Sequence, residues 1–345
     1  MTDVIKILEI IVTCFAFVAL ITPIIRKLAL HVNAHKEAGE RDMHHGIVPR
    51  LGGLAVYCGF LLGYMIFYRE TLEMNSILIG SFVVLLVGVI DDIKPIPNKV
   101  KFLGQILGAL VVACYGNILL SEIQAFGFEL NFGVLAYPIT VLFIVSIINC
   151  INFIDGLDGL ASGTSCIYFF TIGVIALMQN MMGGLDSTLA FIMVGSTLGF
   201  LVHNFYPAKI FLGDSGSHFL GFIIAVIALL GFKNVTLTSL IVPIVILAIP
   251  ILDTLLAILR RIIKGEPIDQ ADKLHFHHQL LNMNLSHPMT VIIIYIINIL
   301  FSLVSIFYVL RDQFLGQVLY IALVLFVIWF ICSTTILFDK KKKLK

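Results

Sequence analysis

Asp91 and Asp92 follow the apolar run 83–90 (VVLLVGVI) without a break. A carboxylate costs roughly 2.5–3.5 kcal/mol at mid-bilayer and less near its edge. Two adjacent ones also repel unless a cation neutralises them. Pro95, Pro97, Lys99 and Lys101 come next, and Lys101 opens the following apolar stretch, from which it could reach back to the pair across one short turn. A helix end meeting water would account for one aspartate; a pair followed by prolines and lysines points to chemistry.

A second cluster is Asn149, Asn152, Asp155 and Asp158, four amide or carboxyl groups at intervals of three. In a helical turn that spacing puts them on neighbouring sides of one face. Their oxygens are the ligands hard cations prefer, and Gly156 and Gly159 let the backbone tighten or open there. The spacing lacks the twelve-residue EF-hand pattern, and the bland alternative is a capped polar turn. A third segment runs from His203 and Asn204 through Phe211 to Asp214-Ser-Gly-Ser217. Helix N-termini bind phosphate oxygens, so Asp214 could hold a metal while Ser215–Ser217 hold the phosphate it bridges; a simple N-cap is the alternative. Further on, Pro243 and Pro250 predict a bent helix, and bent helices in membranes line cavities. Asp253 lies about 10 Å below Arg260 at 1.5 Å per residue. The long loop from Arg260 to Pro288 holds Arg260, Arg261, Lys264, Asp272, His275, His277 and His278. His-x-His could ligate zinc, but no cysteine or second histidine pair completes such a site nearby. A phosphate-binding loop suits it better.

These clusters must be positioned by apolar helices. Of 345 residues, 59% are hydrophobic and only 12% charged, with mean hydropathy +1.05. A soluble domain carries roughly 25% charge, so the bilayer is this chain's solvent. That excludes a secreted disulfide scaffold, a disordered regulator and an ordinary cytosolic enzyme. A net charge of +1 offers nothing to nucleic acid. The six cysteines fall singly in apolar stretches, as small core hydrophobes.

Spans need about 20 apolar residues. Eleven stretches qualify: Ile7–Ile25, Leu51–Tyr68, Met74–Ile90, Phe102–Leu120, Val134–Ile151, Leu160–Met178, Ser187–Val202, Ser217–Phe232, Leu237–Leu259, Met289–Leu310 and Phe314–Phe338. The third, seventh and eighth are short and border polar motifs, which predicts helices running on into those motifs. The expected fold is an all-α polytopic membrane protein of one domain, residues 1–345. With the N-terminus outside and the C-terminus cytoplasmic, all but four of the 22 lysines and arginines (Lys6, Arg69, Lys233 and Arg311) fall on the inner side, as the positive-inside rule requires. All ten histidines land there too. The alternation of Phe126, Phe128, Leu130 and Phe132 with polar or glycine neighbours predicts a small external β-hairpin at 121–133.

An acidic, oxygen-rich floor rimmed with basic residues suits a divalent cation and a pyrophosphate. Mg²⁺ is commonly held by one or two protein ligands plus substrate phosphates, and phosphoryl transfer needs mainly positioning and charge neutralisation.

Five motifs in order carry a specific likeness: Pro49-Arg50-Leu-Gly52-Gly53; Asp91-Asp92 with Lys101 and Gln105; Asn152-Phe-Ile-Asp155-Gly-Leu-Asp158-Gly; Pro207-Ala-Lys with Phe211-Leu-Gly-Asp214-Ser-Gly; and His275-Phe-His277-His278. Over almost its whole length the chain resembles the polyprenyl-phosphate N-acetylhexosamine-1-phosphate transferases. The resemblance implies transfer of a sugar 1-phosphate from a UDP-sugar to undecaprenyl phosphate, with release of UMP, at the cytoplasmic face of the bacterial inner membrane. It implies Mg²⁺, with Mn²⁺ as a candidate substitute. Asp214 would be the leading metal ligand, with Asn152 beside it. Asp91, Asp92, Lys101 and Asp155 would form the catalytic group: the aspartate pair handles the lipid phosphate, with Asp91 as base or orienter, and Lys101 contacts phosphate. On the substrate side stand Arg50, Asn149, Asp158 bonding the uracil edge, Asn204 supporting the nucleotide site, Phe211 stacking on uracil, and His275, His277 and His278 meeting pyrophosphate or sugar. A homodimer is left open.

The muramoyl-pentapeptide branch has three consecutive histidines in its last loop. Here Phe276 interrupts them, as in the N-acetylglucosamine branch, which favours UDP-N-acetylglucosamine over another UDP-N-acetylhexosamine or UDP-muramoyl-pentapeptide. Two readings of other classes use the same residues: an ion-coupled transporter built on the bent ninth helix, and an intramembrane aspartyl protease using Asp155 and the Gly213-Asp214 element. Transporter sites lie near the midplane between internal repeats, whereas these groups gather at one face. A protease needs a single carboxylate pair, fewer than are present here.

Overall fold

The computed structural model describes residues 2–35, 48–125, 128–179, 184–234, 261, 280–281, 283, 285–311 and 313–333. The chain divides into two compact units, Met1–Leu240 and Ile241–Lys345. The first contains α1 (Thr2–His31), α2 (Gly52–Phe67), α3 (Leu72–Ile93), α4 (Asn98–Leu110), β1 (Glu122–Ala125), β2 (Phe128–Asn131), α5 (Ala136–Ile154), α6 (Leu160–Met178), α7 (Leu185–Asn204) and α8 (Gly213–Asn234). In the second, α9 (His287–Leu310) and α10 (Gln313–Ser333) form a helical hairpin. Its two helices approach closely because Gly316 carries no Cβ to meet the Tyr308 backbone.

Seven described helices are long and apolar enough to cross a membrane: α1, α3, α5, α6, α7, α8 and α9. Two shorter apolar segments, Gly52–Phe67 and Phe314–Val327, join them. Nine of the eleven expected stretches overlap these helices, and a tenth overlaps α4. The ninth, Leu237–Leu259, lies outside the described residues. The three stretches that looked short do run on into their polar motifs: α3 carries Asp91 and Asp92 to Ile93, α7 reaches Asn204, and α8 starts at Gly213. One expectation is corrected. The fourth stretch is helical only from Asn98 to Tyr115, its last turn (Val111–Tyr115) being a π-helix. Gly116 and the left-handed Asn117 (φ 49°) end it. The apolar residues beyond belong to a connection: Ile118 and Leu120 are buried, and the Leu120 N–H is accepted by Thr140 Oγ1 at 2.8 Å. The hairpin is present, with Glu122 opposite Asn131 and Ala125 opposite Phe128.

α7 and α8 are the most buried of the spanning helices. α7 packs on α1, α2 and α6, and α8 on α2, α3 and α5. Tyr57, Phe60 and Phe219 stack edge to face where α2 meets α8. The outer helices turn apolar side chains outward, such as Leu20 and Ile24 of α1 and Leu142 of α5. In water such a surface would aggregate; in lipid it costs nothing. Cys14, Cys150 and Cys166 are buried and form no disulfide.

Candidate active site

The C-termini of α1, α3, α5 and α7 meet the N-termini of α2, α4 and α8 at one end of the first unit, and hydrogen bonds tie the polar motifs together there. The Arg50 N–H bonds to the Ala34 carbonyl after α1. Phe211 N–H donates to Pro49 O (2.9 Å), Gly52 N–H to Phe211 O (3.0 Å) and Gly53 N–H to Leu212 O (2.9 Å). Pro49–Gly53 is thereby laced along Phe211-Leu212. Glycine is needed at both 52 and 53: a Cβ on the first would strike the Phe200 ring, and one on the second the Gly216 backbone.

Asp214 stands at the centre. Its Oδ2 lies 2.8 Å from Lys101 Nζ, and Lys101 is also 3.1 Å from Asp91 Oδ2. Asp214 Oδ1 receives a bond from Asn152 Nδ2 at 3.3 Å, and the same amide donates to Ser217 Oγ at 2.9 Å. α3 ends where Pro95 and Pro97 forbid its continuation. The short turn before α4 returns Lys101 to Asp91, whose Oδ1 accepts the Ile96 N–H at 2.9 Å. Asp91, Asp214, Lys101 and Asn152 thus come from four helices and form one charged cluster.

Asp92 faces elsewhere. Its Oδ1 accepts the Asp214 N–H at 2.8 Å, and its Oδ2 accepts the Ser215 N–H at 3.0 Å and the Ser215 hydroxyl at 2.6 Å. This corrects the expectation that Ser215–Ser217 hold a phosphate. The first amides of α8 already hold a carboxylate, and Ser217 Oγ takes the Asn152 amide.

Asp155 sits just past the end of α5, half-buried, with Arg50, Asp92, Asp158 and Asp214 in electrostatic reach. Burial first, then the charge of Asp214, push its carboxyl up to about 8, with Arg50 pulling the other way. Asp158 is buried, and its Oδ2 accepts the Ala208 N–H at 2.9 Å. Asn204 is buried beside that loop. It accepts the Ser162 hydroxyl at 2.7 Å and donates to Ile210 O at 3.0 Å. Both residues hold segment 205–210 and so place Phe211. Asn149 donates to Gln105 Oε1 at 2.8 Å, and Gln105 Nε2 lies 3.4 Å from His218 Nε2. An amide NH₂ only donates, so that contact makes the His218 Nε2 an acceptor.

His218 is a residue the sequence reading did not single out. It is buried, with Nε2 3.9 Å from Asp214 Oδ2. The available signal was its spacing of four from Asp214 on one helix, which puts both on one face. His275, His277, His278 and Asp253 lie outside the described residues.

The donor set suits a hard cation. Asp214 offers carboxylate oxygens and Asn152, on the adjacent helix, an amide oxygen once its NH₂ turns away from Asp214 and Ser217; Mg²⁺ asks for one or two such ligands with phosphates completing the shell. Among the described residues, no three His, Cys, Asp or Glu side chains gather to hold a metal ion by themselves, so a cation here would need substrate oxygens as well.

Residues 74–232 match the family described as glycosyl transferase family 4. The chain is 41% identical, over 90% of its length and 86% of the relative's, to a probable undecaprenyl-phosphate N-acetylglucosaminyl 1-phosphate transferase of Bacillus subtilis. It is 33% identical to a decaprenyl-phosphate N-acetylglucosaminephosphotransferase of Mycobacterium leprae, over 83% of this chain and 78% of that one. It is 32% identical to an undecaprenyl-phosphate alpha-N-acetylglucosaminyl 1-phosphate transferase of Haemophilus influenzae, over 89% and 85%. With membrane-length helices, a charged cluster at one end of the bundle and likeness of this extent, the chain belongs to the polyprenyl-phosphate sugar-1-phosphate transferase family and is an enzyme of that class.

Proposed function

We propose that the protein transfers N-acetylglucosamine 1-phosphate from UDP-N-acetylglucosamine to undecaprenyl phosphate and releases UMP. The reaction depends on Mg²⁺, which Mn²⁺ can replace. It runs at the cytoplasmic face of the bacterial inner membrane and opens the synthesis of an envelope polysaccharide or teichoic acid. The observation that carries this reading is the convergence of Asp91, Lys101, Asn152 and Asp214 at one end of the bundle. Both a membrane-borne phosphate and a water-borne nucleotide can reach such a position.

An oxygen of the lipid phosphate bonds to the sugar-linked phosphorus of the donor. The bond from that phosphorus to the bridging oxygen breaks, and the bridging oxygen leaves with UMP. A phosphate monoester is already mostly ionised at pH 7, its second pKa being about 6, so no strong base is required. Asp91 then orients the attacking group, and direct displacement is favoured over an aspartyl-phosphate intermediate. Lys101 and Arg50 offset the negative charge of two substrates brought together. By the family resemblance, Phe211 would stack on the uracil, Asp158 would bond its edge, and the His-x-His-His motif would meet the sugar or pyrophosphate. A divalent cation, held by Asp214 with Asn152 beside it, would neutralise pyrophosphate charge.

The test is purified protein with undecaprenyl phosphate and a panel of UDP-sugars, with UMP measured with and without EDTA. UMP release that needs the lipid, UDP-N-acetylglucosamine and a divalent cation supports the reading. Absence of lipid-dependent UMP release from every donor overturns it.

A further inference from the structure

We infer that the two adjacent aspartates divide their work: Asp92 is a positioning residue that caps α8 from the neighbouring helix α3 and fixes where Asp214 stands, while Asp91 alone of the pair faces the reaction. Consecutive residues on a helix point about 100° apart, so Asp91 and Asp92 cannot serve one target. The structure shows the two targets. Asp91 accepts from Lys101 and the Ile96 N–H in the charged cluster. Asp92 is only 8% exposed and accepts three bonds, all from Asp214 and Ser215.

α8 needs that cap. The first amides of a helix have no partner within it, and the preceding side chain usually supplies one as Ser, Thr, Asn or Asp. Here α8 is preceded by Leu212 and opens on Gly213, neither of which can do so. A carboxylate from α3 takes the role, with its charge at the positive end of the helix dipole. The surroundings are shaped for it. Gly213 has φ +75°, and a Cβ there would run into the Asp92 carboxylate. Gly88, one turn earlier on α3, lets the helix backbone lie against Asp214-Ser215, where any Cβ would collide. Since Asp92 grips the Asp214 N–H itself, it sets the backbone from which the Asp214 side chain reaches Lys101 and Asn152.

The inference rests on the proposed reaction for its kinetic arm and not for its structural one. The variants are Asp92→Asn, which keeps the shape but turns one acceptor into a donor, and Ser215→Ala, which removes one of the three bonds and keeps the helix. Hydrogen exchange of the 213–217 segment reads the cap with no substrate present. We expect faster exchange there in both variants, larger for Asp92→Asn, with the rest of the first unit protected as in the parent. Kinetically, kcat should fall roughly 10–100-fold in Asp92→Asn, as small misplacements do, and less in Ser215→Ala. The KM for lipid phosphate and the pH profile of kcat should stay as they are. Unchanged exchange at 213–217 in both variants overturns the inference whatever the kinetics. So does a severalfold rise in the lipid KM, or a displaced pH profile, in Asp92→Asn. If the parent itself releases no UMP, the proposed reaction fails, and the exchange arm still decides the cap.

Discussion

Lys101 Nζ lies 2.8 Å from Asp214 Oδ2, joining residues 113 positions apart, and the same ammonium reaches Asp91 at 3.1 Å. One cation thus links the two carboxylates assigned to opposite substrates: Asp91 to the lipid phosphate and Asp214 to the nucleotide sugar. Replacing Lys101 by Met leaves two close carboxylates without that counter-charge and removes a donor from the reacting phosphates. UMP release should drop about 10²–10³-fold, the usual loss for one electrostatic stabiliser. Lys101→Arg keeps the charge in a bulkier, planar group and should recover part of the rate. Steady-state assays of equally purified variants check this.

Asp214→Ala and Asp91→Asn should each abolish UMP release while the protein still inserts in the membrane. The two should separate in cation binding. Asp214→Ala removes the assigned ligand and should lose Mn²⁺ binding, followed by its paramagnetic resonance signal. Asp91→Asn should keep it, because Asp214 and Asn152 both remain in place. Near-normal turnover in Asp214→Ala would remove the metal assignment.

Gly213→Ala should be among the most damaging small substitutions in the chain. A residue with a Cβ at φ +75° costs about 1–2 kcal/mol in backbone strain, and this one would also displace Asp92 from the start of α8. The expected result is a lower thermal midpoint in detergent together with reduced turnover. Gly231→Ala on the same helix, where a Cβ meets nothing, is the control.

Much of this was legible from residue types and order. Apolar runs gave the helices, and helices that stop beside polar motifs gave the common end where those motifs meet. The return of Lys101 toward Asp91 followed from two prolines and a short turn. What local pattern could not give was the partner of each group across the bundle. Asp91 and Asp92 are neighbours of one chemical type, and only the rotation of α3 against α8 separates a carboxylate among charges from one on backbone amides. Glycine-Asp-Ser before a helix looked like a vacant phosphate cradle because its cap lies 122 residues away. Asp158 and Asn204 looked like nucleotide ligands, yet both also hold segment 205–210, Asp158 from 50 residues away and Asn204 while anchored by Ser162, 42 residues off, and neither distant pairing has a local signature. The fourth stretch was read as too long because hydropathy does not register the left-handed turn at Asn117.

Asp155 offers a test through pH. Its carboxyl is raised from an ordinary 3.8 to about 8 by burial and by Asp214. In the folded protein without divalent cation it therefore keeps its proton through neutral pH, whereas the unfolded chain gives it up near 4. The folded state binds the extra proton between those values, so this group's contribution to stability is full below pH 4, declines as pH rises, and is gone above about 8. Asp155→Asn carries a neutral side chain of similar shape at every pH and escapes that decline. In EDTA, the thermal midpoint of the parent relative to Asp155→Asn should fall between pH 5 and pH 9, with the variant gaining on the parent across the range. A difference that stays flat, or moves the other way, would show that Asp155 is ionised in the folded protein and that Arg50 outweighs burial and Asp214.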